Sequence, residues 1–425
     1  MTITSDTPVA IIGAGPAGLV LAHLLKAIGI DSVVLERRDR GYVEQRVRAG
    51  VLEHPSVELL RDLGLADRLE REGLSHRGIE LAFEGRRHRI DFLDLVGHSI
   101  TVYGQQEIVK DLIAARLAAG DPIVFEVDDV TIDGIDSDFP TVGYTHDGER
   151  HELRCRIVAG CDGFHGISRD RIGEGPSGNT VFDRDYPFAW LGILAEAAPT
   201  IDELIYSSHE RGFALYSMRS PTITRLYLQV PADERIEDWS DDRIWSELEI
   251  RLPTGDGFSF NTGPIHERGI TTMRSFVSIP MRRGSLAIAG DAAHIVPPTG
   301  AKGMNLAIAD VAVLAEIIDD VITDGKDERL DDYTDDCLRR VWRCQHFSWW
   351  MTSMLHRFDD DPFRRQLQLS ELRLVTSSTP AATNLAENYV GVALGPSLRS
   401  PATQAGDGRS LAGARSLASE GKVDR

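Results

Sequence analysis

Three glycines near the start of the chain are spaced as in loops that bind nucleotide phosphates. Gly13, Gly15 and Gly18 form a GxGxxG pattern directly after the apolar run 9–12. In such a pattern the first glycine permits a tight turn, the second lets backbone amides approach a pyrophosphate, and the third allows close helix–strand packing. Glu36 ends the next apolar run, where a carboxylate can accept hydrogen bonds from a ribose diol. The spacing therefore predicts a dinucleotide site that either NAD or FAD would fit.

A second glycine turn lies far along the chain. Gly290 and Asp291 follow the apolar run 286–289, and a segment rich in proline and glycine then leads into a helical pattern at 303. An aspartate at such a strand end can bind a ribityl hydroxyl, and a helix N-terminus can hold another polar part of the same cofactor. The segment 159–163 (AGCDG) also follows an apolar run. Either of these two turns could be an ordinary loop, but together with the first glycine loop they favour a long cofactor such as FAD.

Apolar patterning indicates the elements that must position these turns. Residues 9–35 have the pattern of a strand, a helix and a second strand, which is a βαβ unit. Residues 46–75 have mostly helical spacing, whereas 186–230 are rich in β-branched and aromatic residues and predict a separate large sheet. Residues 303–323 and 330–357 again have helical spacing. The pattern predicts a mixed α/β protein.

Composition excludes several classes of function. With 46 basic and 66 acidic residues the formal net charge is −20, which argues against nucleic acid or an anionic membrane as a partner. No apolar run is long enough to span a bilayer, and the N-terminus has no signal-peptide pattern. The four cysteines form no CxxC pair, so we expect free thiols in a cytoplasmic protein. We predict no metal site, because no metal-ligand spacing relates the histidines His76, His88, His165, His294 and His346.

Two groups of motifs resemble the single-component flavoprotein aromatic hydroxylases. The first group, GAGPAG at 13–18 with the segments 159–169 and 290–307, is typical of the whole family. The second group resembles the members that act on 4-hydroxybenzoate, and it comprises 46–53 (RVRAGVLE), 103–105 (YGQ), 203–206 (ELIY), 211–217 (RGFALYS), 347–352 (FSWWMT) and 387–391 (ENYVG). The resemblance extends from residue 8 to about residue 393.

The resemblance implies a reaction and a domain organisation. The reaction would be hydroxylation of 4-hydroxybenzoate at the 3-position, with NAD(P)H and O2, through a flavin C4a-hydroperoxide. The implied fold is a Rossmann-like FAD-binding βαβ domain with an inserted substrate-binding β-sheet domain and C-terminal helices. We divide the chain into 1–180 for FAD binding, with substrate-domain strands around 78–105, then 181–275 for the substrate sheet, 276–394 for FAD-binding completion and helices, and a disordered tail at 395–425. A homodimer that uses the late helices is implied as well.

The resemblance also assigns residues to substrate and flavin. Ser217, Arg219 and Tyr227 would bind the substrate carboxylate, and Tyr206, Tyr389 and the carbonyl of Pro298 would face its phenol. His76, which we place in a loop, would pass the phenolic proton from Tyr389 to solvent. The residues carried over for FAD are Gly13, Gly15, Gly18, Glu36, Arg46, Arg48, Gln105, Asp291, Lys302 and Asn305. Lys302 would add positive charge near the flavin.

For the nicotinamide donor, the matched positions are Arg37, Arg38, Tyr42, His165 and Arg274. Paired arginines suit a ribose 2′-phosphate, although Asp39 follows them, so we expect NADPH to be preferred and NADH to be usable. Two other hypotheses stay open. One is a hydroxylase for a neighbouring ring acid such as 3-hydroxybenzoate, and the other is a flavin-loaded binding protein without turnover.

Overall fold

The computed structural model describes residues 2–46, 50–175, 178–252 and 255–394. The predicted tail at 395–425 lies outside these residues. In chain order the strands are β1 Thr2–Asp6, β2 Val9–Ile12, β3 Ser32–Leu35, β4 Val51–Leu52, β5 Leu74–His76, β6 Gly78–Phe83, β7 Arg86–Asp91, β8 Ile100–Val102, β9 Ile123–Val124, β10 Asp128–Asp133, β11 Thr141–His146, β12 Glu149–Arg154, β13 Ile157–Gly160, β14 Thr180–Ala195, β15 Leu204–Ser207, β16 Ala214–Met218, β17 Thr224–Pro231, β18 Ile265–Ile279, β19 Arg282–Arg283, β20 Leu286–Ile288 and β21 His294–Ile295.

The helices pack on and between these strands. In chain order they are α1 Pro16–Ala27, α2 Arg40–Gln45, α3 His54–Asp62, α4 Asp67–Glu72, α5 Phe92–Val96, α6 Gln105–Ala118, α7 Ser168–Gly173, α8 Asp241–Arg251, α9 Gly303–Asp324, α10 Arg329–Leu355, α11 Pro362–Ser377 and α12 Thr379–Val390. Short 3₁₀ turns lie at Ile236–Asp238, Gly290–Ala292 and Pro298–Gly300. Within the described ranges, no helix is both long enough and apolar enough to cross a membrane.

A six-stranded sheet forms the first core. Its strand order is β19-β20-β13-β2-β3-β9, and all neighbours are parallel except β19 and β20. Strand β2 is apolar and fully buried, and helix α1 packs both against this strand and against α9. Each parallel strand ends at the same edge of this sheet, so the turns that follow β2, β3, β13 and β20 lie side by side.

An eight-stranded, mostly antiparallel sheet forms the second core, in the order β21-β18-β14-β17-β16-β15-β6-β7. Tyr206, Leu215, Tyr227 and Gly192 pair in one row across four of its strands. That face of the sheet packs against the C-terminal helices, which bring Phe347 and other apolar residues to it, whereas the opposite face packs on α8. Opposite faces are distinguished because side chains alternate along a strand.

The structure corrects part of the sequence interpretation. The helical spacing at 46–75 corresponds to α3 and α4, but the short strands β4 and β5 flank them and join β8 in a separate three-stranded sheet. Strand β1 adds to β12 in a further four-stranded sheet. The eight-stranded sheet also includes β6 and β7, which lie within the first hundred residues. The domain boundaries given above stay a proposal.

Candidate active site

The glycine loop after β2 leaves an open helix N-terminus. Gly13 has a φ of +107°, which favours glycine, and a Cβ at this position would collide with the backbone carbonyl of Cys161. Helix α1 begins at Pro16 with Gly15 as its N-cap, and no side chain caps it. A Cβ on Gly15 would meet nothing within 4 Å. The first turn of α1 can therefore direct its amide groups at an anion that approaches from this open side.

Two carboxylates lie at the same edge. The Glu36 carboxylate accepts hydrogen bonds from the backbone amides of Ala14 and Arg38, each at 2.8 Å, and so joins the turns after β2 and β3. Asp162 follows β13, and its Oδ2 accepts hydrogen bonds from the amides of Ile167 and Ser168. Asp162 Oδ1 is buried and has no hydrogen-bond partner among the described residues. This orphaned oxygen beside the glycine loop is available to a polar group of a ligand.

A buried ion pair that the sequence analysis did not predict supports the turn after β20. Gly290 has a φ of +63°, and its amide donates to the Asp310 carboxylate at 2.9 Å. His294 Nε2 contacts the same oxygen at 2.6 Å. Burial opposes charge on His294, but the Asp310 charge and hydrogen bond outweigh this and raise its pKa. The pair ties the turn to α9 and leaves Asp291 exposed at the open edge. The available signal was Asp310, which is the only charged residue in the otherwise apolar stretch 306–315 of α9.

Lys302 and Asn305 tie the start of α9 to distant segments. Lys302 Nζ contacts Glu53 Oε1 at 2.8 Å and donates to the carbonyl of Tyr389 at 3.0 Å, and both charged side chains are buried. The Asn305 amide group donates to the carbonyls of Val51 and Ala301, and its oxygen accepts from the amide of Glu53. The role of Glu53, whose charge opposes the positive charge of Lys302, was not predicted from the sequence. Asn305 holds backbone in place through its side chain.

These features fit FAD. An uncapped helix end with open space before it suits a pyrophosphate, Glu36 suits a ribose, and the turns after β13 and β20 extend the same edge toward a second polar part. One long cofactor laid along the ends of parallel strands would reach all of them, because ligands of open α/β sheets bind at that edge.

Of the other residues predicted for FAD, Gly18 packs its helix against the Gly13 carbonyl, which leaves no room for a Cβ. Gln105 is the first residue of α6 and is partly exposed, and Arg46 is exposed just after α2. Arg48 lies outside the described residues. These assignments stay predictions.

Two tyrosines meet in the second core. The Tyr206 hydroxyl on β15 hydrogen-bonds the Tyr389 hydroxyl on α12, and both side chains are buried. Burial and the neighbouring Tyr389 raise the pKa of Tyr206 well above its ordinary value. Burial likewise raises the pKa of Tyr389, although the hydrogen bond from Tyr206 lowers it in part. Both phenols therefore stay protonated and can pass a proton along a hydrogen-bonded chain. Phe92 stacks on Tyr389 with ring centroids 5.2 Å apart, and this contact keeps the pair dry.

The three residues predicted to bind a carboxylate lie on neighbouring strand positions. Ser217 is the penultimate residue of β16 and donates to the carbonyl of Met218 at 3.2 Å, while Tyr227 lies on β17, opposite Leu215 in the row that also contains Tyr206. Arg219 follows β16 directly, and burial lowers its pKa to about 10, so it stays a cation at neutral pH. Its guanidinium donates a hydrogen bond to Gln106, which the sequence analysis did not single out. The sheet thus has a cationic end and a phenolic end on one face.

A buried histidine supports Tyr227 from behind. Trp190 Nε1 donates to His356 Nε2 at 2.7 Å, and the Trp190 ring lies 4.7 Å from the Tyr227 ring between centroids. Burial lowers the pKa of His356 to about 3, so this imidazole is neutral. This pair could not be predicted from the sequence, because its members are 166 positions apart.

The structure corrects the predicted position of His76 and adds detail for Pro298. The loop assignment for His76 was wrong, because the residue ends strand β5 and is fully buried. Burial lowers its pKa to about 4, and neither ring nitrogen has a hydrogen-bond partner among the described residues. Pro298 is exposed, and its carbonyl accepts from the amide of Ala301 at 2.9 Å. The proton relay through His76 stays a prediction.

The residues predicted for the nicotinamide donor fall into two groups. Arg37 and Arg38 are exposed between β3 and α2, and the Arg38 guanidinium lies 4.9 Å from the centre of the Tyr42 ring. Arg274 on β18 contacts Asp183 at 3.1 Å and lies over the Phe164 ring next to the exposed His165. No hydrogen bond or ion pair joins the two groups among the residues that the structure describes.

Comparison with known proteins agrees with this geometry. Residues 6–348 match a protein-family model described as an FAD binding domain. The chain is 47% identical to a p-hydroxybenzoate hydroxylase of Acinetobacter baylyi over 92% of this chain and 96% of that protein. It is 28% identical to a 3-(3-hydroxy-phenyl)propionate/3-hydroxycinnamic acid hydroxylase of Mycobacterium avium, over 77% of this chain and 57% of that protein. The crystal structure of a p-nitrophenol 4-monooxygenase from Pseudomonas putida shares the fold, with a TM-score of 0.78, 20% identity and coverage of 92% of this chain and 99% of that one.

Proposed function

Because this chain belongs to the FAD-dependent aromatic hydroxylase family, we propose that it hydroxylates 4-hydroxybenzoate at the 3-position to 3,4-dihydroxybenzoate. The substrate assignment rests on one observation: one face of the eight-stranded sheet has a cationic group at one end and phenolic groups at the other. Arg219 supplies a cation for a carboxylate, and Tyr206 with Tyr389 supplies a buried hydroxyl pair for a phenol. A para-hydroxy acid presents these two groups at opposite ends of its ring.

The chain's own residues would bind and orient the substrate. Arg219 presents a planar fork that matches a carboxylate, and Ser217 and Tyr227 add hydroxyl donors beside it. The large aromatic side chains Trp190 and Phe213, which are stacked with ring centroids 5.3 Å apart, exclude water from the same face. An anchored ring then has few orientations available, which favours reaction at a single carbon.

The tyrosine pair would move the phenolic proton. The substrate hydroxyl donates to Tyr206, the Tyr206 hydroxyl donates to Tyr389, and the Tyr389 hydroxyl passes its own proton onward to a water molecule. A shift of one proton along each of these bonds leaves the substrate as phenolate, both tyrosines neutral, and the proton on solvent. A phenolate is more nucleophilic at the carbon ortho to its oxygen. His76 is buried, and neither of its ring nitrogens has a hydrogen-bond partner among the described residues. A proton relay from Tyr389 to His76 would therefore need a further hydrogen-bonded group between the two residues.

FAD, held at the glycine loop, Glu36 and the turn after β20, would supply electron transfer from the nicotinamide and activation of O2. The exposed guanidinium groups of Arg37 and Arg38 support NADPH as the preferred donor, with NADH usable, because a 2′-phosphate attracts paired cations. Asp39 already accepts the amide of Tyr42 as the N-cap of α2. Steady-state rates with each donor test this proposal, and a higher efficiency with NADH would contradict it.

Homodimer formation through the late helices is supported by exposed apolar side chains on α11. Phe363, Leu367 and Leu374 are 69%, 56% and 51% exposed, and their spacing of four and seven residues places them on one helix face. Such a face is typical of an interface. Sedimentation of the chain and of a Phe363→Glu variant should show a dimer that the charge weakens, and a monomer for the unaltered chain would refute the proposal. Cytoplasmic location remains part of the proposal, with the cysteines free in the described ranges.

Product analysis tests the proposed reaction directly. The FAD-loaded enzyme is incubated with NADPH, O2 and 4-hydroxybenzoate, and 3,4-dihydroxybenzoate is expected in proportion to the donor consumed. Parallel reactions with 3-hydroxybenzoate and with no ring acid are the controls. Product from 3-hydroxybenzoate alone would favour the neighbouring ring-acid hydroxylase, and donor oxidation that no ring acid stimulates would favour a binding protein without turnover.

A further inference from the structure

Gln106 contacts the arginine that is proposed to bind the substrate carboxylate. It is the second residue of α6, and its side-chain oxygen accepts a hydrogen bond from Nη2 of Arg219. The two residues are 113 positions apart, so the contact joins the FAD-binding side of the molecule to the substrate sheet. Gln105, the preceding residue, is the one predicted to contact the flavin.

The backbone around Gln106 is shaped for this contact. A Cβ on Gly104 would lie 2.7 Å from Arg219 Nη2 and 2.9 Å from Gln106 Oε1, so the guanidinium lies directly against the start of α6. A side chain at residue 104 would require the arginine to move. The absence of one at Gly104 allows the guanidinium to approach Gln106.

The start of α6 is itself held in place. Arg68 contacts Glu107 and Asp111 at 2.7 Å each, and the Tyr103 hydroxyl donates to Asp111 at 2.7 Å. These contacts bracket Gln106 on both sides along the chain. The backbone that carries Gln106 is therefore held in place by contacts that do not involve Arg219.

We propose that Gln106 is a positioning residue for the carboxylate anchor: its amide oxygen holds the guanidinium plane of Arg219 in the orientation in which that group binds the substrate carboxylate. The proposal rests on the proposed function. A neutral acceptor suits this role, because it binds one N–H group and leaves the positive charge for the ligand. A carboxylate at residue 106 would instead compete with the substrate for the same cation.

Ligand binding to the FAD-loaded enzyme tests the role of Gln106. Titrations followed by flavin absorbance compare 4-hydroxybenzoate with 4-hydroxybenzaldehyde, which keeps the phenol and has no carboxylate. Gln106→Met removes the acceptor at nearly constant length, and we expect Kd for 4-hydroxybenzoate to rise about tenfold. Gln106→Glu should raise it further. Kd for the aldehyde should stay within about twofold in both variants, and KM for the acid should rise while kcat is kept.

The outcomes separate this proposal from the proposed function. Retained FAD and an unchanged melting temperature show that each variant folds. If the unaltered enzyme hydroxylates 4-hydroxybenzoate and the variants keep its preference for the acid over the aldehyde, the role of Gln106 is refuted and the function stands. Equal weakening of both ligands would also refute it, because that pattern indicates a general structural effect. An unaltered enzyme that neither binds nor hydroxylates the acid would refute both.

Discussion

The buried pair of Lys302 and Glu53 should stabilise the fold only as a pair. The Nζ–Oε1 distance is 2.8 Å, and the two side chains are 2% and 8% exposed. Glu53→Gln removes the negative charge and leaves the ammonium buried, with the Tyr389 carbonyl as its remaining acceptor. Removing one partner of a buried pair costs about 3–5 kcal/mol. The lower end applies, because the introduced amide oxygen can still accept one hydrogen bond.

This free energy corresponds to a measurable shift in melting temperature. Unfolding entropy of about 2.1 cal/mol/K per residue gives a chain of this length about 0.9 kcal/mol per kelvin. A loss of about 3 kcal/mol should therefore lower Tm by about 3–4 °C. The double variant Glu53→Gln with Lys302→Met has no uncompensated charge and should recover at least half of that loss.

Differential scanning calorimetry of the FAD-loaded protein measures these shifts. Asp6→Asn is the matched control, because it removes the same type of charge from the exposed pair with Arg154 and should not change Tm measurably. A Glu53→Gln variant as stable as the unaltered protein would refute the reasoning. So would a double variant whose loss equals the sum of the two single losses, because the charges would then be uncoupled.

Three further predictions concern the site. Tyr206→Phe should lower the rate of hydroxylation by about 10²-fold or more while FAD is retained, because the hydroxyl chain to Tyr389 is lost, and an unchanged product yield would refute the phenolate assignment. The pKa of His294 is raised in the folded protein, so the contribution of this residue to stability is complete below about pH 6.5 and falls as the pH rises above that value. The difference in unfolding free energy between the unaltered protein and His294→Gln should therefore become smaller as the pH rises. A difference that becomes larger would contradict the ion pair with Asp310. The pKa of His76 is lowered to about 4, so the unaltered protein should lose stability relative to His76→Gln as the pH falls from about 6.5 to 4, and parallel stability curves would show that this imidazole is not buried in its neutral form.

The edge of the six-stranded sheet that would bind the nucleotide could be predicted from the sequence, because its signals are local. A glycine just after an apolar run permits a tight turn, and a carboxylate there lies at the end of a strand. Gly13, Glu36 and Asp291 all follow short apolar runs. Helices with regular apolar spacing were similarly accessible, and α9 and α10 lie within two residues of the predicted bounds. Short strands were not, since two or three residues such as Val51–Leu52 carry too little pattern to separate them from a neighbouring helix.

The contacts that give the site its chemistry came from folding, because each joins residues far apart in the chain. Lys302 meets Glu53 across 249 positions, and Tyr206 meets Tyr389 across 183. Periodicity tells which face of an element is apolar, but it does not tell which distant face will cover it or which polar groups are buried together. Burial then sets the charge states, as it does when it keeps His76 neutral and both tyrosines protonated. Residue types and local turns thus follow from the amino-acid order, whereas pairing and protonation follow from the packing of remote segments.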